Sequence, residues 1–129
     1  MIVGIGTDIV DKRRIRALHR KMGDTFVRYI LTEKEQAECP AEPLKKVVGY
    51  LANRWAIKEA MSKALGLGMG EHVRWKEVET FHTAEGAPQV RLLGTTAATA
   101  EKMAGRNYVL HVSVSDDSSS VAFVILEKR

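Results

Sequence analysis

The stretch Leu44–Leu65, LKKVVGYLANRWAIKEAMSKAL, decides how this chain folds. Advanced by about 100° per residue, Leu44, Val47, Val48, Leu51, Ala52 and Trp55 share one stripe of a helix. Beyond Trp55 the apolar residues move to the opposite side, as Ala56, Ile57, Ala60, Met61, Ala64 and Leu65. Lys58, Glu59, Ser62 and Lys63 take the line the first stripe would have followed. A helix that changes face in this way crosses a core and then presents a polar cluster into a cleft. A plainer reading also fits. Glu59 and Lys63 are four apart in the order that favours a surface ion pair of about 0.2–0.5 kcal/mol, and a stripe rotates whenever the two ends of a helix pack on different neighbours. Spacing alone does not choose between them.

On either side of this helix the chain reads as short, well-punctuated elements. Residues 2–10 form an apolar run that predicts a buried strand. Asp11 can cap a helix to about Met22, with Ile15, Leu18 and Met22 on its apolar side and Gly23 as its end. A short helical piece, FVRYIL, leads to Thr32 and Glu35, which have the spacing of a capping box. Cys39-Pro40 and Pro43 then interrupt the chain, and Gly66 stops the long helix. Downstream, Glu77–Phe81 and Gln89–Leu93 predict a hairpin around EGAP, and 95–104 an alanine-rich helix. Two closing strands, Tyr108–Ser115 and Val121–Glu127, flank the polar turn DDSSS. In the first, Leu110, Val112 and Val114 oppose His111, Ser113 and Ser115. The last is apolar on both faces and should be central or covered on both sides. These elements specify an α+β class, a mostly antiparallel sheet packed with one long helix and shorter ones.

Length and composition narrow the function classes. The chain has 129 residues, which suits one domain with one core, spanning 1–129. Hydrophobic residues at 45% and charged residues at 28% exclude a disordered chain. No apolar run is long enough to span a membrane. The apolar start, MIVGIGTDIV, has no basic leader, and Asp8 interrupts it, so it reads as a strand rather than a signal peptide. The single cysteine, Cys39, forms no internal disulfide, and the expected compartment is reducing cytoplasm. Net charge is +4, and Lys12, Arg13, Arg14, Arg16, Arg20 and Lys21 crowd one segment against Asp11 alone. Such a face suits an acidic partner, or it is simply a solvated charged surface.

Few residues stand out for chemistry. Asp8 lies in or just after an apolar strand, where a buried carboxylate requires a partner or a metal, although Thr7-Asp8 could also serve as a turn before the first helix. In LGLGMG, Gly66, Gly68 and Gly70 allow close backbone approach. No Gly-Lys-Ser/Thr follows, which excludes a Walker loop. His111 could bind a phosphate or sit as an ordinary surface histidine. There is no cluster of histidines and cysteines for a metal and no Ser-His-Asp arrangement.

Read together, the pieces resemble one family. GIGTDIV followed by Arg14-Ile15, then FVRYILTEKE, then LANRWAIKEAMSKALGLG, then HVSVSDD with a closing apolar strand occur in the order found in holo-acyl-carrier-protein synthases, the small type of phosphopantetheinyl transferase. The blocks cover nearly the whole chain, and WAIKEAMSKALG is the most specific of them. The resemblance implies the phosphopantetheinyl-transferase fold and a homotrimer with sites at subunit interfaces. It implies transfer of 4′-phosphopantetheine from coenzyme A to a serine of apo-acyl carrier protein, with release of adenosine 3′,5′-bisphosphate, in support of fatty acid biosynthesis. By the same resemblance Asp8 and Glu59 hold Mg²⁺. Lys63 meets the coenzyme A phosphates near the backbone of Gly66 and Gly68, Arg54 and His111 hold the nucleotide end, and Arg14 meets the acidic carrier. Where many members carry a second histidine, this chain has Asp116, and Leu67 and Met69 also depart from the commoner residues, so no role is carried onto these three.

The chemistry suits the residue types. Phosphoryl transfer depends on positioning and on neutralising charge. Mg²⁺ takes oxygen ligands, commonly one or two carboxylates with phosphate and water. Lys63, one turn from Glu59, can reach the same phosphates as a point charge. Serine must lose a proton, to Glu59 or to a metal-bound water, and the sequence does not choose. Two other classes compete. One is a nucleic-acid-binding module, against which stand few aromatics and no binding motif. The other is a non-catalytic basic domain that binds an acidic protein. The resemblance favours the enzyme, with no nucleic-acid or membrane partner.

Overall fold

Strand β1 (Ile2–Asp11) and helix α4 (Leu44–Ala64) lie against each other, and glycine makes their closeness possible. A Cβ at Gly4 would collide with the carbonyl oxygen of Ala64, and one at Gly6 with that of Ala60. The computed structural model describes residues 1–129. After β1 come α1 (Lys12–Met22), α2 (Asp24–Ile30), α3 (Glu33–Glu38) and α4. A 3₁₀ turn (Trp75–Glu77), β2 (Val78–His82), β3 (Pro88–Leu92), α5 (Gly94–Ala104), β4 (Val109–Asp116) and β5 (Ser119–Glu127) follow. The mixed class with antiparallel pairing is as expected. There are two sheets, a three-stranded one in the order β1-β5-β4 and the β2-β3 hairpin.

Local chemistry accounts for the boundaries. Asp11 accepts from the Arg13 N–H and caps α1. Thr32 and Glu35 form the capping box of α3. Gly23, at φ 56°, separates α1 from α2. Helix α5 starts without a cap of its own, and Glu77 supplies one from outside by accepting from the Thr95 and Thr96 N–H groups at 3.2 and 3.0 Å. The face change in α4 is present. Val47, Val48, Leu51 and Ala52 are buried in its first half, and Ala56, Ile57, Ala60, Met61 and Ala64 in its second. Both sets enter one contiguous core that also takes Ile15, Phe26, Ile30, Val78, Val90, Ala122, Val124 and Leu126.

Of three expectations, two need correction, and that for β5 holds for its central place alone. Strand β1 is an edge strand, and its isoleucines are not buried. Gly4, Gly6, Asp8 and Val10 face α4, which leaves Ile5 and Ile9 on the far face at 64% and 68% exposure. Strand β5 is central in hydrogen bonding but covered on one side only, with Phe123 at 51% exposure on the other. Ile5, Ile125 and His111 are register neighbours across this open face, as are Thr7, Phe123 and Ser113. The third concerns the polar line of α4. Lys58 and Ser62 do not face a cleft; both are buried. Lys58 is paired inside the protein with Glu35, and Ser62 donates back to the Glu59 carbonyl at 2.7 Å.

Candidate active site

The close approach of β1 to α4 brings Asp8 beside the last two turns of the helix. Lys63 donates to Asp8 Oδ1 at 3.1 Å. The Asp8 side chain is 14% exposed and that of Lys63 53%. The other carboxylate oxygen, Oδ2, is buried and has no hydrogen-bond partner. An orphaned, negatively charged acceptor is expensive to keep. Glu59 completes the group. Burial pushes its carboxyl above the usual range, the charge of Asp8 pushes it further, and Lys63 and Arg14 pull it back. Two carboxylates that repel each other, one with an empty buried oxygen, suit a divalent cation bound through oxygen. The i, i+4 pair of Glu59 with Lys63 is not the arrangement found, because Lys63 reaches across to β1 instead.

The glycine run behind α4 is partly committed to ending the helix. The N–H of Gly66 donates to the Lys63 carbonyl at 2.9 Å and that of Leu67 to the Ser62 carbonyl at 3.0 Å, the two bonds of a Schellman motif. Gly66 adopts φ 73°, which requires a glycine at little cost. Its N–H is therefore spent, whereas Gly68 has no backbone partner for its own.

Arg14 and Trp55 make a second feature near Glu59. The Arg14 guanidinium lies 5.2 Å over the Trp55 ring. Trp55 packs in turn on Phe26 at 5.9 Å and on Trp75 at 4.8 Å between centroids. On the basic segment, Lys12 is taken by Asp116 at 2.7 Å and Arg13 by Asp11 at 2.7 Å. Arg14, Arg16 and Arg20 are exposed and form no ion pair. An open pocket of about 450 Å³ adjoins Trp75, lined also by Arg28, Tyr29, Met69, Val73, Arg74 and Lys76.

Two of the singled-out residues lie apart from this cluster within the chain. Arg54 stacks on the Tyr50 ring at 3.7 Å, and its Nε is buried without a partner. Burial raises the Tyr50 phenol to about 12, and its hydroxyl donates to the Glu35 carbonyl at 2.7 Å. His111 sits on the open sheet face and bonds Glu127 at 2.9 Å. That bond holds the Glu127 carboxyl below its usual range.

Residues 4–113 match the model of the 4′-phosphopantetheinyl transferase superfamily. The chain belongs to this superfamily. Over its whole length this transferase is 42% identical to the holo-[acyl-carrier-protein] synthase of Hydrogenovibrio crunogenus, of which it covers 99%. The solved holo-[acyl-carrier-protein] synthase of Neisseria meningitidis is 38% identical, with a TM-score of 0.88 over 99% of this chain and 100% of that one. That of Bacillus anthracis, solved in complex with CoA (3′,5′-ADP), is 33% identical, with a TM-score of 0.81 over 100% and 99%. The comparisons give no support to a non-catalytic interaction domain.

Reading the residues of this transferase in sequence missed two things. One is the role of Gly4 and Gly6 in drawing Asp8 toward Glu59; the alternation of glycine with larger residues in GIG was the signal. The other is the Lys58–Glu35 pair, for which the periodicity of α4 carried no signal at all.

Proposed function

We propose that this transferase moves 4′-phosphopantetheine from coenzyme A to a serine of an apo-acyl carrier protein, serving fatty acid biosynthesis, with Asp8, Glu59 and Lys63 as its reacting centre. The observation that carries the reading is the unpartnered Asp8 Oδ2, buried beside Lys63 and a Glu59 of raised proton affinity. Asp8 and Glu59 would hold Mg²⁺, which supplies charge neutralisation on the phosphates when bound. In the reaction the serine oxygen bonds to the phosphorus next to pantetheine. The bond from that phosphorus to the bridging oxygen breaks, and adenosine 3′,5′-bisphosphate leaves. Lys63, half-exposed on its flexible stem, turns from Asp8 to the phosphates. The serine proton would pass to Glu59 or to a water held at the same site. Gly68, with its free N–H, is better placed to donate to a phosphate than Gly66.

Arg14, exposed above Trp55, supports docking of an acidic carrier, and the unpaired Arg28, Arg74 and Lys76 around the neighbouring pocket extend the same positive surface. The open sheet face supports a homotrimer. Ile5, Ile9 and Phe123 form an apolar patch that water alone leaves uncovered, and His111 stands at its edge, where a second copy would bring it toward a neighbouring site. Phe123→Lys should then shift the sedimentation coefficient to that of a monomer, and an unchanged coefficient would remove the assembly from the proposal. The lone, half-buried Cys39 fits a reducing cytoplasm. No helix is long and apolar enough to cross a membrane.

The transfer itself is tested by intact-protein mass spectrometry of an apo carrier incubated with this protein, coenzyme A and Mg²⁺. The expected result is a gain of one phosphopantetheine, lost when EDTA is added. No gain on any of several apo carriers would overturn the reading.

A further inference from the structure

Lys58 sits next to Glu59 in sequence and points the other way. It is the largest fully buried side chain in the molecule. Its ammonium donates to the Ile30 carbonyl at 2.6 Å, to Glu35 Oε1 at 2.6 Å and to the Trp75 carbonyl at 2.9 Å. Three donors meet three acceptors, which is the full capacity of the group. Those acceptors come from the end of α2, from α3 and from the turn before β2. Glu35 is satisfied as completely. It accepts from the Thr32 N–H at 2.9 Å and, through its second oxygen, from the N–H and hydroxyl of Thr80 at 2.8 and 2.7 Å.

The carbonyl that Lys58 holds at one corner belongs to Trp75. The Trp75 ring packs on Trp55, the ring beneath Arg14, and Trp75 also lines the cationic pocket. The carbonyl at another corner belongs to Ile30, beside Tyr29 and Arg28 of the same pocket. One buried ammonium thus pins both walls of that pocket to the helix that carries Glu59 and Lys63. We infer that Lys58 is a positioning residue for carrier docking: it holds α2 and the Trp75 turn in fixed relation to the helix that carries Glu59 and Lys63, so that the pocket walls and Arg14 together form one surface that fits the carrier. This rests on the transfer reading above. It assigns Lys58 no contact with coenzyme A or the carrier.

The chain has two tryptophans, Trp55 and Trp75, and they are stacked on each other. Their coupled circular-dichroism signal therefore reports the placement of Trp75 directly. The test compares wild type, Lys58→Met, and Lys58→Met with Glu35→Gln, which removes both charges and so keeps a folded protein available for measurement. The expected result is loss of the tryptophan couplet in a folded protein. The KM for the apo carrier should rise about tenfold, while the KM for coenzyme A and the kcat at saturating carrier stay within about twofold. Trp75→Leu, which removes a half-buried ring and leaves the buried Lys58–Glu35 pair intact, should raise the carrier KM in the same way. Three results would each overturn the inference: an intact couplet with an unchanged carrier KM in the folded Lys58 variants, a fall in kcat alone, or an unchanged carrier KM in Trp75→Leu. Absence of transfer by the wild type would instead overturn the functional reading on which this one stands.

Discussion

The protein contains two lysine–carboxylate pairs built on the same helix, and they differ in completeness. Lys58 and Glu35 are both 0% exposed, and every donor and every carboxylate oxygen they have is used. Lys63 and Asp8 make one bond between them, with one carboxylate oxygen buried and idle and a second carboxylate, Glu59, crowding it. The first pair ties segments of the fold together. The second leaves a buried carboxylate oxygen without a partner, and that incompleteness is the ground on which we propose it as the reacting centre. Charge type is the same in the two pairs, so the difference lies in burial and in satisfaction.

The comparison can be broken in order of expected effect. Glu35→Ala should cost about 3–5 kcal/mol of stability, since it leaves a buried ammonium unpaired, and denaturant unfolding reads the loss directly. A loss below about 1 kcal/mol would mean that the buried pair is not the structural one. Lys63→Ala should do the opposite, lowering transfer about a hundredfold while leaving the unfolding midpoint unchanged. Destabilisation with intact activity would exchange the two roles. A smaller effect comes from Glu59. Its carboxyl has a raised proton affinity in the folded state, so its charge opposes folding once it ionises. Glu59→Gln should therefore be slightly more stable than wild type at neutral pH, and the advantage should vanish as pH falls below the ordinary carboxylate range. An advantage that grew toward low pH would show that the affinity is lowered, not raised.

Much of this was legible in the residues, for identifiable reasons. The face change in α4 is carried by a long periodic run, the strongest kind of pattern, and both stripes are buried except for Leu44, exposed at the helix start, and the half-buried Trp55. The caps at Asp11 and Thr32 and the stop at Gly66 follow from local chemistry and stand where expected. Lys58 was misread because its partner is 23 positions away on another helix, and a wheel shows only the helix itself. Glu35 was read as a local cap, which it is, but nothing nearby showed its second task. The exposed isoleucines of β1 were misread because an apolar run has the same appearance whether its cover is the chain's own core or another molecule. The meeting of Asp8 with Glu59 and Lys63 was implied by resemblance to a family, while the physical device that produces it, two glycines without side chains, became visible only in three dimensions.

The most direct test of the central claim is Asp8→Asn, which keeps the shape of the side chain and removes its charge. Intact mass of an apo carrier after incubation with this folded variant, coenzyme A and saturating Mg²⁺ should show no added phosphopantetheine under conditions where the wild type converts the carrier fully. Conversion near the wild-type rate would contradict the account, because the idle oxygen of Asp8 would then have no part in the reaction.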